Sequence, residues 1–246
     1  MIATVVGIGA AEATDTPPIP AHESTYRVLH NGRAIGEATF VLEKANASVW
    51  HLTTETIPTS MLAKLASLSV TEASHFIWHD LQDSPRVVPL TYHNVSKEPF
   101  RTRYWQHRYD WETMTSATTT HDGEQTIELS PGLLDPLTLR LQLAADLQND
   151  DQRQLDRAYV VLDRDDVEDQ RMEHQDHARI EVPAGCFETE HFYRFRKEGS
   201  ARNYDLWVAS ELHWLPVKIV QSDGGRSIEM ALEDSSLLDD AAHCPD

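Results

Sequence analysis

The sequence predicts an all-β protein, mainly antiparallel, in which a curved meander sheet forms an open or closed barrel with one or two short helices. Many short strand-like segments are separated by turn signals, and they lie on both sides of one helical segment. A sheet with so many strands must curl or close to protect its edges. A chain of 246 residues with 40% apolar content can bury one large core.

The helical segment lies within residues 130–141, with the sequence SPGLLDPLTLRL. Asp135 is suited to accept hydrogen bonds from the amides of a first helical turn, and Pro136 has the backbone angle of the first helical position. Apolar residues recur from Leu137 to Leu147 and would give the helix a broad apolar side to lie against a sheet. A helix that separates two strand-rich halves is therefore expected to start at Asp135.

The first strands are expected to form a hairpin, because Asn31 and Gly32 tolerate the positive φ angles of a tight turn. Residues 60–70 carry apolar residues at helical spacing and predict a short covering helix. Further strands are predicted at 49–54, 72–80, 87–93, 101–114, 126–129, 158–162, 167–174, 178–182, 188–195, 202–209, 215–221 and 227–232.

Residues 1–13 resemble the remnant of a signal peptide, because an apolar run ends in two alanines with the A-x-A spacing of a cleavage site. The run lacks the basic residues that normally precede it, so either the true start lies upstream or the run is not a signal. It is also too short to cross a bilayer as a helix, and no transmembrane segment is expected. The interpretation of this run as the remnant of a signal peptide predicts a periplasmic location.

Three regions follow the apolar run. Residues 14–25 contain three prolines and predict a stiff linker. Residues 26–232 are expected to form a single β-rich domain, and residues 233–246 a C-terminal tail. Cys186 and Cys244 are a candidate disulfide in an oxidising compartment, worth about 4 kcal/mol for a loop of this length; the alternative is two free thiols.

The formal net charge of -19 argues against nucleic acid or an anionic membrane surface as the main partner. A basic protein or a neutral ligand fits the charge better. The alternative is that the acidic residues only keep the surface soluble.

The sequence contains none of the common catalytic motifs, such as G-x-S-x-G, the P-loop, H-E-x-x-H or C-x-x-C. Among the 13 histidines, His75 and His79 would share one face, and His174 lies near His177. Neither pair has an obvious third zinc ligand, and the acidic run 163–169 lacks the spacing of a calcium-binding loop. We expect no enzymatic activity, no cofactor and no metal.

One segment combines basic and aromatic residues within this acidic protein. Strand alternation would place six residues on one face: Arg101, Arg103, Trp105, His107, Tyr109 and Trp111. Such a face could hold an anionic or amphiphilic ligand by ion pairing and stacking. The alternative is a cross-strand ladder in which the arginines pair with acids and lie over aromatic rings.

Six short motifs in this order resemble the Gram-negative envelope proteins grouped as domain of unknown function 3108. They are Tyr26 with Asn31-Gly32 and Ile35-Gly36-Glu37, Tyr109-Asp110-Trp111, Leu134-Asp135-Pro136-Leu137, Val182-Pro183-Ala184-Gly185-Cys186-Phe187, Trp207-Val208-Ala209 and Leu215-Pro216-Val217-Lys218. The resemblance covers roughly residues 26–232 and implies a periplasmic β-rich protein without assigned catalytic residues. We interpret the motif residues as scaffolding, with Gly185 at a tight bend and with Trp111 and Trp207 inside a barrel.

Two function classes follow. The first is a non-enzymatic periplasmic protein that binds and neutralises an envelope-acting bacterial toxin, because an acidic exported scaffold without catalytic groups resembles the immunity proteins. Toxins that attack an anionic wall or membrane are often basic, and an acidic inhibitor would be steered to them. The candidate partner-binding residues are Asp163, Asp165, Asp166, Glu168 and Asp169, with Asp150 and Asp151 as a second patch.

The second class is a carrier or sensor of a lipophilic ligand of the cell envelope. A half-open barrel with a helix at its mouth can enclose an acyl chain. This function predicts an apolar cavity and a lipid ligand, and it assigns ligand binding to the face between Arg101 and Trp111.

Overall fold

The computed structural model describes residues 17–61, 69–81, 84–98, 100–149, 155–195 and 202–238. In this part of the chain, fourteen strands form one antiparallel sheet, accompanied by helix α1 (Thr138–Gln148) and a turn of 3-10 helix (Ser210–Leu212). The strands are β1 (His22–His30), β2 (Arg33–Lys44), β3 (Val49–Pro58), β4 (Ser69–Leu81), β5 (Ser84–Glu98), β6 (Arg101–Asp110), β7 (Thr115–Thr120), β8 (Gly123–Glu128), β9 (Arg157–Asp163), β10 (Asp166–Val182), β11 (Gly185–Phe195), β12 (Arg202–Ala209), β13 (Leu215–Asp223) and β14 (Arg226–Ser235).

The sheet is a meander whose first and last strands meet near its centre. Its order is β8-β7-β6-β5-β4-β3-β2-β1-β14-β13-β12-β11-β10-β9, so β1 pairs with β14 and the two edges are β8 and β9. The segment that contains α1 joins the two edges, and Leu134 in that segment forms a parallel bridge to Val161 of β9. The all-β antiparallel meander predicted from the sequence is confirmed.

The sheet curls until its two ends approach each other. The guanidinium of Arg164, in the β9–β10 turn, lies 5.2 Å from the centroid of the Trp105 ring on β6. Helix α1 lies within the resulting barrel, because its leucines and alanines and also Thr138 and Gln142 are buried. The sequence predicted one broad apolar side, but the helix is buried on almost all sides.

Asp135 accepts hydrogen bonds from the amides at the start of helix α1, as predicted, but the helix starts three residues later than predicted. Its Oδ1 accepts hydrogen bonds from the amides of Leu137 (2.9 Å) and Thr138 (2.8 Å), the two amides that an N-cap residue normally satisfies. Thr138 Oγ1 accepts from the Asp135 amide in return, and Asp135 Oδ2 accepts from the hydroxyl of Ser74 on β4 (2.7 Å). The regular helix begins at Thr138, one turn after its cap.

Several boundaries differ from the prediction. β1 begins at His22, and Ile19 is buried in the core, so the last residues of the predicted linker 14–25 belong to the folded domain. β14 ends at Ser235, beyond the predicted end at residue 232. The hairpin at Asn31 and Gly32 is confirmed, with φ angles of 48° and 77°.

Two strand predictions were wrong. The sequence suggested separate strands at 167–174 and 178–182, but β10 is continuous and absorbs the irregularity as a bulge between His174 and Asp176. β7 was missed, because its sequence TSATTT has no apolar residue larger than alanine to mark an inward face. Its threonines are nevertheless β-branched and suit a strand.

Of the three residues predicted to be part of the scaffold, Gly185 and Trp111 lie where they were expected and Trp207 does not. Gly185, at the β10–β11 turn, has a φ of 139°, as a tight bend requires. Trp111 packs against the main core, and its indole N–H donates to the Pro89 carbonyl (2.7 Å). Trp207 does not fill the interior, because it lies on the opposite face of β12 from buried Leu206 and Val208 and stacks on His191 (4.2 Å).

Some predictions fall outside the described residues. These are the signal-like residues 1–13, positions 62–68 of the expected covering helix, Asp150, Asp151 and Cys244. Cys186 on β11 is disulfide-bonded, and its pairing with Cys244 stays a prediction. Among the described helices, none combines the length and apolar character needed to cross a membrane.

Candidate functional site

An open cavity of about 350 Å³ lies at one end of the barrel, between α1 and strands β1–β4, β13 and β14. This volume is near the lower end of the range for small-molecule pockets, about 300–1,000 Å³. Its apolar lining consists of Val28, Ile35, Phe40, Ile57, Pro58, Val70, Ile228 and Met230, and its polar lining of Thr54, Thr56, Ser69, Glu72, Arg140 and Gln221.

The strands bring these residues together because alternate side chains point inward. On β3, Thr54 is buried and Thr56 is half-buried, whereas Glu55 between them is exposed. At the mouth, Gly36 pairs with Pro58, and a Cβ at Gly36 would lie 2.6 Å from the Ile57 carbonyl oxygen. The missing side chain at Gly36 therefore lets β2 and β3 approach each other closely beside the cavity.

Arg140 brings a positive charge into this cavity. It projects from α1, its guanidinium carbon lies 5.2 Å from the centroid of the Phe40 ring, and its buried Nη1 has no hydrogen-bond partner among the described residues. Burial disfavours the charged form, but the surrounding Tyr204, Glu72 and other tyrosines outweigh this effect and raise the pKa of Arg140. The guanidinium is therefore cationic and incompletely hydrogen-bonded.

Glu72 is the carboxylate that lines the same cavity, and it already has other partners. Its Oε1 accepts hydrogen bonds from the hydroxyl of Tyr92 (2.6 Å) and from the side-chain Nδ2 of Asn94 (2.9 Å). The hydroxyl of Thr54 approaches Oε2 at 3.5 Å. No ion pair links Glu72 to Arg140 in the described structure, so Glu72 influences the guanidinium through its electric field.

The cavity wall includes an exposed apolar side chain. Ile57 lines the cavity and is 44% exposed. Exposed apolar surface is often found at ligand-binding grooves and interaction sites.

Phe40 and Arg140 also line a smaller crevice of about 40 Å³, which Ile19, Leu52 and Trp214 help to form. These two side chains thus lie between the cavity and the crevice.

A larger cleft of about 590 Å³ opens at the seam of the barrel, beside the C-terminal half of α1. Its central charge is Asp146, which accepts hydrogen bonds from Arg86 Nη1 (3.1 Å), Gln142 Nε2 (2.8 Å) and the hydroxyl of Tyr159 (2.9 Å). Gln142 Oε1 in turn accepts from the Val87 amide (2.8 Å). The polar groups of this cleft already satisfy one another, and the cleft is therefore the weaker candidate despite its volume.

The structure places most of the predicted basic and aromatic face inside the barrel. Trp105, His107 and Tyr109 alternate inward on β6, with His107 stacked on Tyr92 (5.6 Å) and Trp111 stacked on Tyr109 (6.1 Å). Burial lowers the pKa of His107 to about 4, so its ring is neutral at pH 7.

The basic residues of this face behave differently. Arg101 is exposed and contacts His121 (3.2 Å), whereas Arg103 is half-buried and pairs with Glu98 (3.6 Å). None of the six residues from Arg101 to Trp111 lines the 350 Å³ cavity. Of the two arginines, only Arg103 pairs with an acidic residue, as the cross-strand ladder requires. Trp105 Nε1, His107 Nε2 and the Tyr109 hydroxyl have no hydrogen-bond partner among the described residues, and a ligand role for this face stays a prediction.

The acidic residues predicted to bind a partner are only partly at the surface. Asp165, Asp166 and Asp169 are exposed on the β9–β10 hairpin, whereas Asp163 and Glu168 are half-buried and engaged in interactions of their own. Of the five predicted residues that the structure describes, three are therefore exposed on one hairpin.

The two predicted histidine pairs differ in their surroundings. In the first pair, His79 Nδ1 is buried without a hydrogen-bond partner among the described residues. His75 stacks on His51 across two strands (4.1 Å). His174 and His177 both contact Glu190, at 2.6 and 3.1 Å, and Glu190 raises the pKa of His177. No group of three or more metal-ligating side chains converges in the described part of the chain.

Sequence reasoning missed Arg140 and Glu72. The available signal was a single cation within TLRLQLAADL, a helix whose remaining residues are too apolar for a surface position. A charged side chain on such a helix is buried together with the helix. It must then contact a hydrogen-bonding or oppositely charged group, or face a cavity.

Comparison with known proteins identifies a family and a fold. The family model described as "Protein of unknown function (DUF3108)" matches residues 25–232. A solved beta-barrel-like protein of domain of unknown function DUF1849 from Brucella abortus aligns with a TM-score of 0.55 and 10% identity, covering 89% of this chain and 98% of that one. This likeness shows a shared barrel-like fold. No curated protein matches the sequence.

Proposed function

This chain belongs to the family of proteins of unknown function DUF3108, and we propose that it is a non-enzymatic carrier of a lipophilic molecule of the cell envelope. The observation that carries the proposal is the cavity at the end of the barrel, whose walls are largely apolar and whose base holds an incompletely hydrogen-bonded charge. The export-like N-terminal sequence supports a periplasmic location for this activity.

Three features of the cavity support a carrier. One side is built from aliphatic side chains of β1, β2, β4 and β14, which suits a hydrocarbon chain. Ile57 lines the cavity and is 44% exposed, so part of the wall that meets solvent is apolar. The volume of about 350 Å³ favours one short chain over a lipid with two chains.

The test is equilibrium binding of the apolar fluorescent probe N-phenyl-1-naphthylamine to the purified protein. We expect saturable binding with enhanced emission, because the probe leaves water for an apolar cavity. Thr56→Trp should fill the cavity and weaken binding by about tenfold or more, whereas Glu55→Trp, one residue away on the exposed face of β3, should not. The absence of saturable binding, or equal effects of the two tryptophans, would refute the proposal.

The toxin-neutralising function remains a second candidate because of the exposed hairpin between β9 and β10. Asp165, Asp166 and Asp169 surround Val167, an apolar residue that is 42% exposed. An apolar contact within an acidic patch suits a basic protein partner.

A pull-down from the envelope fraction tests this second function. It predicts one stoichiometric basic protein that is retained at low salt and released at high salt. Replacement of the three exposed aspartates by asparagine should abolish its retention. Retention that is independent of salt, or that survives the triple substitution, would rule out the acidic patch as the binding site.

A further inference from the structure

We propose that Arg140 binds the single negatively charged group of an amphiphilic ligand, such as a fatty-acid carboxylate, whose hydrocarbon chain lies along the apolar side of the cavity. This inference rests on the proposed carrier function and specifies the chemical class of its ligand.

Arg140 has hydrogen-bonding capacity that the described residues do not use. A guanidinium presents five N–H donors, and its buried Nη1 has no acceptor among the described residues. Phe40 provides a cation–π contact, which does not replace a hydrogen bond. Burying a charge without hydrogen-bonded partners is costly, and proteins otherwise avoid it. An anionic group in the cavity would supply the missing acceptors.

The shape of the Arg140 side chain suits a carboxylate head group. A planar guanidinium suits the two oxygens of a carboxylate and can bind them through parallel hydrogen bonds. Arg140 and Met230 line the same cavity, so a head group at the arginine leaves its chain next to apolar side chains.

Glu72 limits the negative charge that the head group of the ligand can carry. Glu72 lines the same cavity and keeps its carboxylate among Tyr92, Asn94 and Thr54. The whole protein carries a formal net charge of -19, so Arg140 is a local exception in a negative field. One negative charge can be neutralised at Arg140, whereas a second would meet repulsion from Glu72. A monoanion is therefore favoured over a dianionic head group.

The experiment compares dodecanoate with dodecanol, which share one chain and differ in the charge of the head group. Each displaces N-phenyl-1-naphthylamine from the wild-type protein at pH 7.5. We expect dodecanoate to bind more tightly by about tenfold or more, because a hydrogen bond to a charged group contributes that much discrimination.

Three variants locate the effect. Arg140→Gln should remove the preference for the acid and leave the affinity for dodecanol unchanged, and Arg140→Lys should keep part of the preference. The matched control is Arg27→Gln, which removes an exposed arginine paired with Glu233 on the outer surface and should change neither affinity.

The outcomes separate the two proposals. Equal binding of acid and alcohol by the wild-type protein would overturn the role of Arg140 while leaving the carrier function intact. Failure of both ligands to displace the probe, or failure of the probe to bind, would overturn both. An undiminished preference for the acid in Arg140→Gln would assign the head group to another site.

Discussion

A comparison of two arginines shows why the smaller cavity is the better candidate. Arg86 on β5 contacts helix α1, and Arg140 belongs to that helix. Arg86 reaches the seam cleft of about 590 Å³ and pairs with Asp146 at 3.1 Å. Arg140 enters the cavity of about 350 Å³ with a buried N–H group that no described residue accepts. The charged groups of the cleft are already paired, whereas the cavity contains a buried cation with an unused N–H group. Other buried polar atoms also lack a partner among the described residues, but of these residues only Arg140 lines the cavity of about 350 Å³.

The largest expected effect comes from breaking the complete network. Asp146→Ala removes the acceptor of Arg86, Gln142 and Tyr159, and two of these partners are buried. We expect the free energy of unfolding to fall by about 3 kcal/mol, because buried donors lose their acceptor. Urea denaturation of the variant and the wild-type protein measures this change in the free energy of unfolding. A loss below about 1 kcal/mol would mean that the cleft is not held together in this way.

The next effect concerns a carboxyl group that is fully hydrogen-bonded but still costly to ionise. Burial raises the pKa of Asp135 to about 6 from 3.8, although bonds from Thr138 and Ser74 oppose the rise. The folded state therefore holds this proton more tightly than the unfolded state. The contribution of Asp135 to stability is complete below about pH 4 and is lost as the pH rises through about 6.

This loss amounts to about 3 kcal/mol, from a shift of roughly two pKa units. The measurement is urea denaturation at pH 4 and pH 7.5 for the wild-type protein and Asp135→Asn. The difference between the two proteins isolates Asp135 from other titrating groups, and we expect the wild type to lose stability relative to the variant as the pH rises. A difference that does not change with pH would show that Asp135 titrates normally.

A smaller effect is expected at the mouth of the cavity. Gly36→Ala places a methyl group against the Ile57 carbonyl oxygen, and β2 and β3 must separate to admit it. We expect a loss of about 1–2 kcal/mol together with weaker probe binding, measured on the same sample. Glu37→Ala, the next residue on β2, should change stability by less than about 0.5 kcal/mol. Equal stability of Gly36→Ala and the wild type would show that the mouth is not tightly packed.

The smallest effect on stability is expected for a substitution of Arg140, the second of the two arginines compared above. Arg140→Met removes a charge that has no ion-pair partner among the described residues, and it keeps an unbranched side chain beside Phe40. We expect the free energy of unfolding to stay the same or to rise by up to about 1 kcal/mol, as measured by urea denaturation. A decrease of more than about 1 kcal/mol would indicate a structural role for Arg140.

The parts of the fold that were predictable depend on local chemistry. Asp135 followed by Pro136 specifies a helix start through neighbouring amides, and Asn31-Gly32 specifies a hairpin through its positive φ angles. Both signals act within a few residues, so the surrounding structure is not needed to interpret them.

The cavity was not predictable for the opposite reason. Arg140 lies among strands that come from distant parts of the chain, including β2, β4 and β14, and its surroundings therefore cannot be inferred from neighbouring residues in the sequence. The alternation on β6 was predicted correctly, but alternation gives only the face of a strand. Whether that face meets a cavity or other side chains depends on how the sheet closes.

The pairing of β1 with β14 bears on how the chain reaches its native state. Ser24 and Ser235 share a hydrogen bond across 211 positions of sequence. Hairpins within each half can form as soon as their strands are available, but the ladder that unites the halves must wait for the last strand. Pairing β1 with β14 closes a very long loop, and the conformational entropy is lost late in folding. Topologies with such long-range strand pairs fold slowly. A chain that emerges from a translocation channel would thus keep the two halves of its sheet apart until almost the whole polypeptide has passed.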